Sequence, residues 1–160
     1  MSRQVRVIII TGTMGAGKTT ILSEASDILS SAGVVHAAID LDTLGIAHLP
    51  ADARELMFRN LASVWSNYHS AGVTRLLLAE AVESREDLNR ICAAIPEAEI
   101  TVCRFLASME TAERRVRNRE PGMLQAKLVS RVTELEQILN RANIEDFAIA
   151  NDHGSVTKVA

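Results

Sequence analysis

Gly12-Thr13-Met14-Gly15-Ala16-Gly17-Lys18-Thr19 fits the pattern G-x-x-x-x-G-K-[ST], that of a phosphate-binding P-loop. Its neighbours agree with it. Val5-Arg6-Val7-Ile8-Ile9-Ile10 before it is a β-branched apolar run suited to a buried strand. Thr20 to Ser31 after it carries Ile21, Leu22, Ala25, Ile28 and Leu29 at helical spacing. A loop that closes onto a helix start aims backbone N–H groups and the positive end of the helix dipole at one point, as a phosphate requires. Glycines permit the tight turn and the close approach of backbone to ligand. Gly12, Thr13, Met14, Gly15, Ala16, Gly17, Lys18, Thr19 and Thr20 are therefore expected to hold a nucleotide's phosphates. Lys18 is expected to reach the β- and γ-phosphates, and the Thr19 hydroxyl to bind Mg²⁺.

The chain of 160 residues is expected to form a single domain over 1–160, long enough to bury a substantial core. Hydrophobic residues make up 48% and charged residues 23%, the balance of an ordinary globular protein. A net charge of −3 and an aromatic content of 3% argue against a nucleic-acid partner and against attraction to an anionic membrane. No apolar run approaches the roughly 20 residues of a membrane span. The first strand starts so early that no signal peptide is expected ahead of it. Cys92 and Cys103 fall on a predicted helix and a predicted strand without metal-like spacing, and read as reduced cysteines of a cytoplasmic protein. His36, His48, His69 and His153 are scattered, and no pair has metal spacing.

Outward from the loop, strands and helices alternate. Gly33 stops the first helix, and residues 34–39 read as a second strand that delivers Asp40-Leu41-Asp42 at its end. Residues 43–50 read as a loop, and about 51–68 as a helix with Met57, Leu61, Val64, Trp65 and Tyr68 on one face. A third strand over 73–79 ends at Glu80, a helix over 84–94 is capped by Ser84, and a fourth strand covers 100–106. A helix from 108 halts at Pro121-Gly122. A long helix over 123–142 is striped by Leu124, Leu128, Leu135, Ile138, Leu139 and Ala142. A fifth strand covers 147–150, and 155–160 open a last helix. Five apolar strands separated by helices predict an α/β, three-layer P-loop NTPase fold, a five-stranded parallel sheet with helices on both faces. Such sheets bind ligands at their C-terminal strand ends.

Asp40 and Asp42 leave the second strand near the loop. Alternate strand residues point to opposite sides, so only one of the two is expected to face the phosphates. A carboxylate there can hold the water shell of Mg²⁺ or accept the proton of an attacking hydroxyl. Both are candidate metal partners; Asp40 is the candidate base and Asp42 a candidate substrate contact. Arg115 and Arg119 share a helix face just before Pro121-Gly122 and suit a lid over about 115–123 that stabilises a transferring phosphoryl group. A solvated basic face with Glu113 and Glu120 as partners is the plainer alternative. Arg54, near the apolar stripe of its helix, and Arg85, just past the third strand, are candidate substrate contacts, whereas Arg59 is expected to be exposed. Glu80 is a candidate second-sphere partner of Mg²⁺, and His48 lies in the loop after the acids. Residues 151–154 lie where backbone groups of such a fold meet an adenine.

With these residues on the page, the chain resembles the small P-loop kinases that phosphorylate metabolites or drugs: adenylylsulfate, gluconate and shikimate kinases and chloramphenicol phosphotransferase. The spacing of Gly12, Gly15 and Gly17 is similar to theirs. Asp40-Leu41-Asp42 resembles their D-x-D, whose first acid is the base or Mg²⁺ partner, and Arg115 and Arg119 resemble their pair of lid arginines. The likeness runs over nearly the whole chain and extends to actinobacterial ATP-binding proteins described as adenylylsulfate-kinase-like. It implies ATP and Mg²⁺ as cofactors and transfer of the γ-phosphate to a hydroxyl of a small-molecule acceptor, by a monomer or homodimer. Acceptor motifs of adenylylsulfate kinase are not visible between Thr43 and Tyr68, and residues 80–85 lack the Ser-Pro turn often found there. The resemblance therefore leaves the acceptor unnamed.

The alternative is an ATP-binding or ATP-hydrolysing regulatory or interaction protein without a small-molecule acceptor. The chain has neither an Asn-Lys-x-Asp guanine-reading motif nor a Leu-Ser-Gly-Gly-Gln stretch. The paired arginines favour a kinase, because a passive binder need not sequester a phosphoryl group in flight. An open cleft between the helix over 51–68 and the P-loop would favour an acceptor site, and a filled one a binder.

Overall fold

In the computed structural model, which describes residues 4–50 and 52–160, the apolar runs assemble into one parallel sheet. β1 (Val5–Thr11), β2 (Ala37–Asp40), β3 (Arg75–Ala79), β4 (Ala98–Leu106) and β5 (Phe147–Ala150) lie in the order β2-β3-β1-β4-β5. A strand flanked by neighbours on both sides needs both faces covered, and the near-continuous apolar run of β1 takes that central place. Successive side chains leave a strand on opposite faces. Val5, Val7 and Ile9 enter a core with Leu76, Leu78 and Val102, closed by Met57, Leu61 and Trp65 of α2 (Ala53–Ser70) and by Leu88 and Ile91 of α3 (Arg85–Ala94). Ile10 joins Leu77, Cys103 and Phe105 in the opposite core, closed by Ile21 and Leu22 of α1 (Lys18–Ser31). Ala112 and Val116 of α4 (Met109–Arg119) and Val132 of α5 (Gln125–Ala142) pack together against Met14 of the loop. The predicted α/β, three-layer P-loop architecture is the one observed.

Boundaries move where tertiary contacts outweigh the local pattern. β2 begins at Ala37 rather than residue 34, because the His36 ring lies 2.8 Å from the Val34 carbonyl and 2.8 Å from Ser26 Oγ, satisfying this stretch off the sheet. The predicted loop after Asp40 opens with a 3₁₀ turn, Leu41–Gly45, pinned by the Thr43 hydroxyl donating to the Asp40 carbonyl at 2.6 Å and by buried Leu41. The predicted helix start at Ala51 lies outside the described residues; α2 begins at Ala53 behind Asp52, whose carboxylate accepts the Arg54 N–H at 2.8 Å. Its stripe ends at Trp65, since Tyr68 is exposed. α5 starts at Gln125, leaving Met123 and Leu124 exposed, and α6 (Val156–Val159) is one turn. Arg104, buried in β4, fastens α5 to the sheet by donating to Glu136 at 2.7 Å and Asn140 at 2.8 Å. Cys92 is exposed and free, and Cys103 is buried and free, its thiol pushed up to about 11 by burial. Among the described residues no helix is long and apolar enough to cross a membrane.

Candidate active site

The chain leaves the central strand and turns through two glycines in the left-handed region, Gly15 at φ 77° and Gly17 at φ 94°. Both positions are also closed to a side chain. A Cβ on Gly15 would collide with the Ala112 carbonyl of α4, and one on Gly17 would stand 2.5 Å from Asn151 Nδ2. Gly15→Ala is therefore expected to cost about 2 kcal/mol or more of stability and to pull α4 off the loop. Chemical denaturation and nucleotide titration should show both losses together; an unchanged midpoint would mean that the loop adapts.

α2, α3 and α4 are capped by the side chains of Asp52, Ser84 and Ser108. α1 is not: its cap is Gly17, and no acidic residue occupies its first turn. Unsatisfied N–H groups at a helix start, with the dipole behind them, form a site for an anion. Lys18 Nζ lies over this opening, donating to the carbonyls of Gly12 at 2.9 Å and Thr13 at 3.0 Å. Burial lowers its pKa from 10.5, against the opposing pull of Asp42 and Glu80. The Thr13 side chain takes a structural part, donating to the Val132 carbonyl of α5 at 3.1 Å.

Asp40 and Asp42 both reach this opening, contrary to the expectation that only one would. β2 stops at Asp40, and the 3₁₀ turn carries Asp42 back to the same side. Asp40 Oδ2 accepts the Thr19 hydroxyl at 2.8 Å. Asp42 borders a cavity of about 430 Å³ that Lys18, Thr19, Thr20, Arg115 and Arg119 also line. It is open to solvent at its rim, yet partial burial raises its carboxyl above 3.8, with Lys18 opposing.

The two lid arginines differ. Arg115 is seated on the loop, donating to the Gly15 carbonyl at 3.0 Å and the Asn151 carbonyl at 2.8 Å. Asn151 returns the contact by donating from Nδ2 to the Ala16 carbonyl at 2.7 Å. Arg119 is exposed on the cavity rim and lies 3.6 Å from Glu120. Arg54 makes a two-pronged contact with Asp87, at 2.6 Å and 3.3 Å, and stacks 5.7 Å from the Phe58 ring. Arg85, Arg59 and His48 are exposed. The side chain of Asn151 was missed by sequence reasoning, which treated residues 151–154 as backbone only; nothing local to that turn signals its reach to the loop.

Glu80 follows β3 directly, its N–H donating to the Ile10 carbonyl at 3.1 Å. It is 2% exposed, and its Oε2 has no hydrogen-bond partner among the described residues. Burial foremost, and then the charge of Asp42, pushes the carboxyl from 4.5 up to about 8. In the folded chain it therefore stays protonated where the unfolded chain ionises. The stability this lends is complete below pH 4.5 and is lost as pH rises to about 8, on the order of 3–5 kcal/mol. Urea unfolding of wild type and Glu80→Gln should diverge across that window, the variant gaining relative stability at the alkaline end. Parallel curves would show that Glu80 is ionised throughout.

A central strand, an uncapped helix start behind a glycine loop, and the order β2-β3-β1-β4-β5 give the fold of the small P-loop kinases. No family model matches the chain, and no curated protein matches it in sequence. Solved structures do share the fold. The Mycobacterium tuberculosis APS kinase in complex with AMPPNP and APS superposes at a TM-score of 0.67 and 18% identity, over 97% of this chain and 92% of that one. A gluconokinase from Sinorhizobium meliloti gives 0.61 and 16%, over 98% and 89%. Shikimate kinase from Acinetobacter baumannii, in complex with shikimate, gives 0.61 and 16%, over 97% and 88%.

Proposed function

We propose that this chain is a small-molecule kinase, one domain that moves the γ-phosphate of ATP to a hydroxyl of an acceptor. The observation that carries this reading is the single cavity where an uncapped helix start, Lys18, Arg119 and two carboxylates meet. Neighbours of this fold hold a nucleotide analogue with APS, or shikimate, which supports two ligands in such a cleft. Residues 12–20 bind the phosphates. Thr19 and Asp40, already paired at 2.8 Å, are oxygen donors of the kind Mg²⁺ prefers and would hold it. Among the described residues no three His, Cys, Asp or Glu side chains close on one point, so the ion's remaining ligands would be phosphate oxygens and water. Mg²⁺ would supply neutralisation of charge on the β- and γ-oxygens.

The acceptor oxygen attacks the γ-phosphorus, its proton passes to Asp42, and the bond to the β–γ bridging oxygen breaks with its electron pair leaving on ADP. Asp42 suits the base because it borders the cavity while Asp40 is engaged with Thr19. Arg119, at the free end of a lid over 115–123, stabilises the transferring group. Arg115 orients the loop.

The test incubates γ-labelled ATP with the protein and pooled metabolites and antibiotics, with Lys18→Ala as the control. A labelled small molecule absent from the control is the expected product. A regulatory ATP-binding role is the second reading. It is favoured by one observation: none of the residues lining the P-loop cavity belongs to α2. Nucleotide binding with no labelled product, or label released only as free phosphate, would move the assignment to that reading.

A further inference from the structure

The cations on the acceptor side of the loop are already engaged. Arg54 is held by both oxygens of Asp87. Arg131 lies 3.1 Å from each oxygen of Glu83 and 2.9 Å from Glu134. Arg90 stands between Glu86 at 2.9 Å and Glu55 at 3.5 Å. Each guanidinium thus has a carboxylate of the protein where an acidic acceptor would need to place its own. Arg85, exposed at the start of α3, is outside those pairs.

Two acids in the same region lack such partners. Asp42 borders the cavity, and Glu80 is 2% exposed with one oxygen unpartnered. Neither takes part in the ion pairs of the described residues. Lys18, the nearest cation not already paired, is turned to the carbonyls of Gly12 and Thr13. Glu80 feels the charges of Asp42, Arg54, Lys18 and Asp87, so it stands between the phosphate end of the site and the Arg54–Asp87 pair. Buried polar atoms in folded proteins are almost always partnered. What this region lacks is a donor, and an anion supplies none.

We infer that the acceptor is a hydroxylated amine, an amino alcohol or amino sugar, whose ammonium group is received by Glu80 while its hydroxyl meets Asp42. An ammonium brings three N–H donors and the charge the two acids lack. In surroundings closed to water a charge-assisted bond of this kind is strong and selective. The inference rests on the kinase reading for its second ligand, and its test separates the two.

The probes are two matched sets: glucosamine, glucose and glucuronate; and 3-amino-1,2-propanediol, glycerol and glycerate. Binding to the full chain loaded with AMPPNP and Mg²⁺ is measured by calorimetry, and transfer by γ-labelled ATP. At least one amine should bind roughly tenfold or more tightly than its neutral and acidic counterparts, and Glu80→Gln should erase about that factor. Affinity for AMPPNP should move less than about twofold in the variant, which also certifies its folding, and Glu80→Asp should restore part of the amine preference. The inference is overturned if neither amine binds, if glucuronate or glycerate binds more tightly, or if Glu80→Gln changes the Mg²⁺ requirement and leaves amine affinity alone. Hydroxy acids bound through Arg85, and lost in Arg85→Ala, would overturn it in the same way. An amine bound through Glu80 but never labelled would retire the kinase reading and leave this site standing; labelled glucuronate would do the reverse.

Discussion

Lys18→Ala lowers kcat/KM for phosphoryl transfer by on the order of 10³-fold or more, with the fold retained. The effect is large because three contributions go at once. The side chain is the one cation whose nitrogen is already fixed on the loop, at 2.9 Å and 3.0 Å from two of its carbonyls. Its charge is partly desolvated, so its attraction for a phosphate is screened less than that of an exposed lysine. Its removal also unties the Gly12 and Thr13 carbonyls, which then turn toward the anion they should avoid. Stability should change little, since neither carbonyl is deprived of solvent by the truncation. Initial rates at saturating and limiting ATP, with a thermal melt alongside, test this. A variant keeping a tenth of the activity would show that Lys18 only brackets the loop.

Asp42→Asn and Asp40→Asn should both be slow, for different reasons. Asparagine preserves shape and cannot accept the acceptor's proton, so Asp42→Asn should lose about 10²–10⁴-fold in kcat with KM for ATP nearly unchanged. Asp40 has its Oδ2 on the Thr19 hydroxyl. Its amide replacement should raise the Mg²⁺ concentration needed for half-maximal rate by roughly tenfold, with rate recovered as Mg²⁺ is added, as loss of a supporting ligand does. A Mg²⁺ titration of both variants separates the roles. Rescue of Asp42→Asn but not of Asp40→Asn would exchange them, returning the base to the first acid, as the D-x-D resemblance allows.

The P-loop, the strand order of elements and both acids were legible because their signals are local. A glycine spacing, an apolar run or a helical stripe lies within a dozen residues. What the sequence concealed is carried by contacts across the fold. Arg115 reaches the Gly15 carbonyl over a separation of 100 residues, Asn151 reaches Ala16 over 135, and Thr13 reaches Val132 over 119. Arg54 looked available for substrate because the Asp87 that occupies it lies 33 residues on, in another helix. Asp42 was misjudged by strand alternation because the strand ends two residues too soon for the rule to apply. Glu80 was visible as an acid at a strand end, but its missing partner is a property of its surroundings.

Arg115 holds a carbonyl of the loop and a carbonyl of the segment after β5, and Asn151 closes the ring through Ala16. Three pieces of chain far apart in sequence are thereby made one mechanical unit. Their backbone amides should exchange with solvent through a shared opening, with a common free energy, rather than each at its own rate. Breaking the ring at Asn151→Ala should raise exchange at Gly15, Ala16 and Gly17 together and leave the amides of α2 and α3 unmoved. A nucleotide that settles on one arc of such a ring tightens the other two.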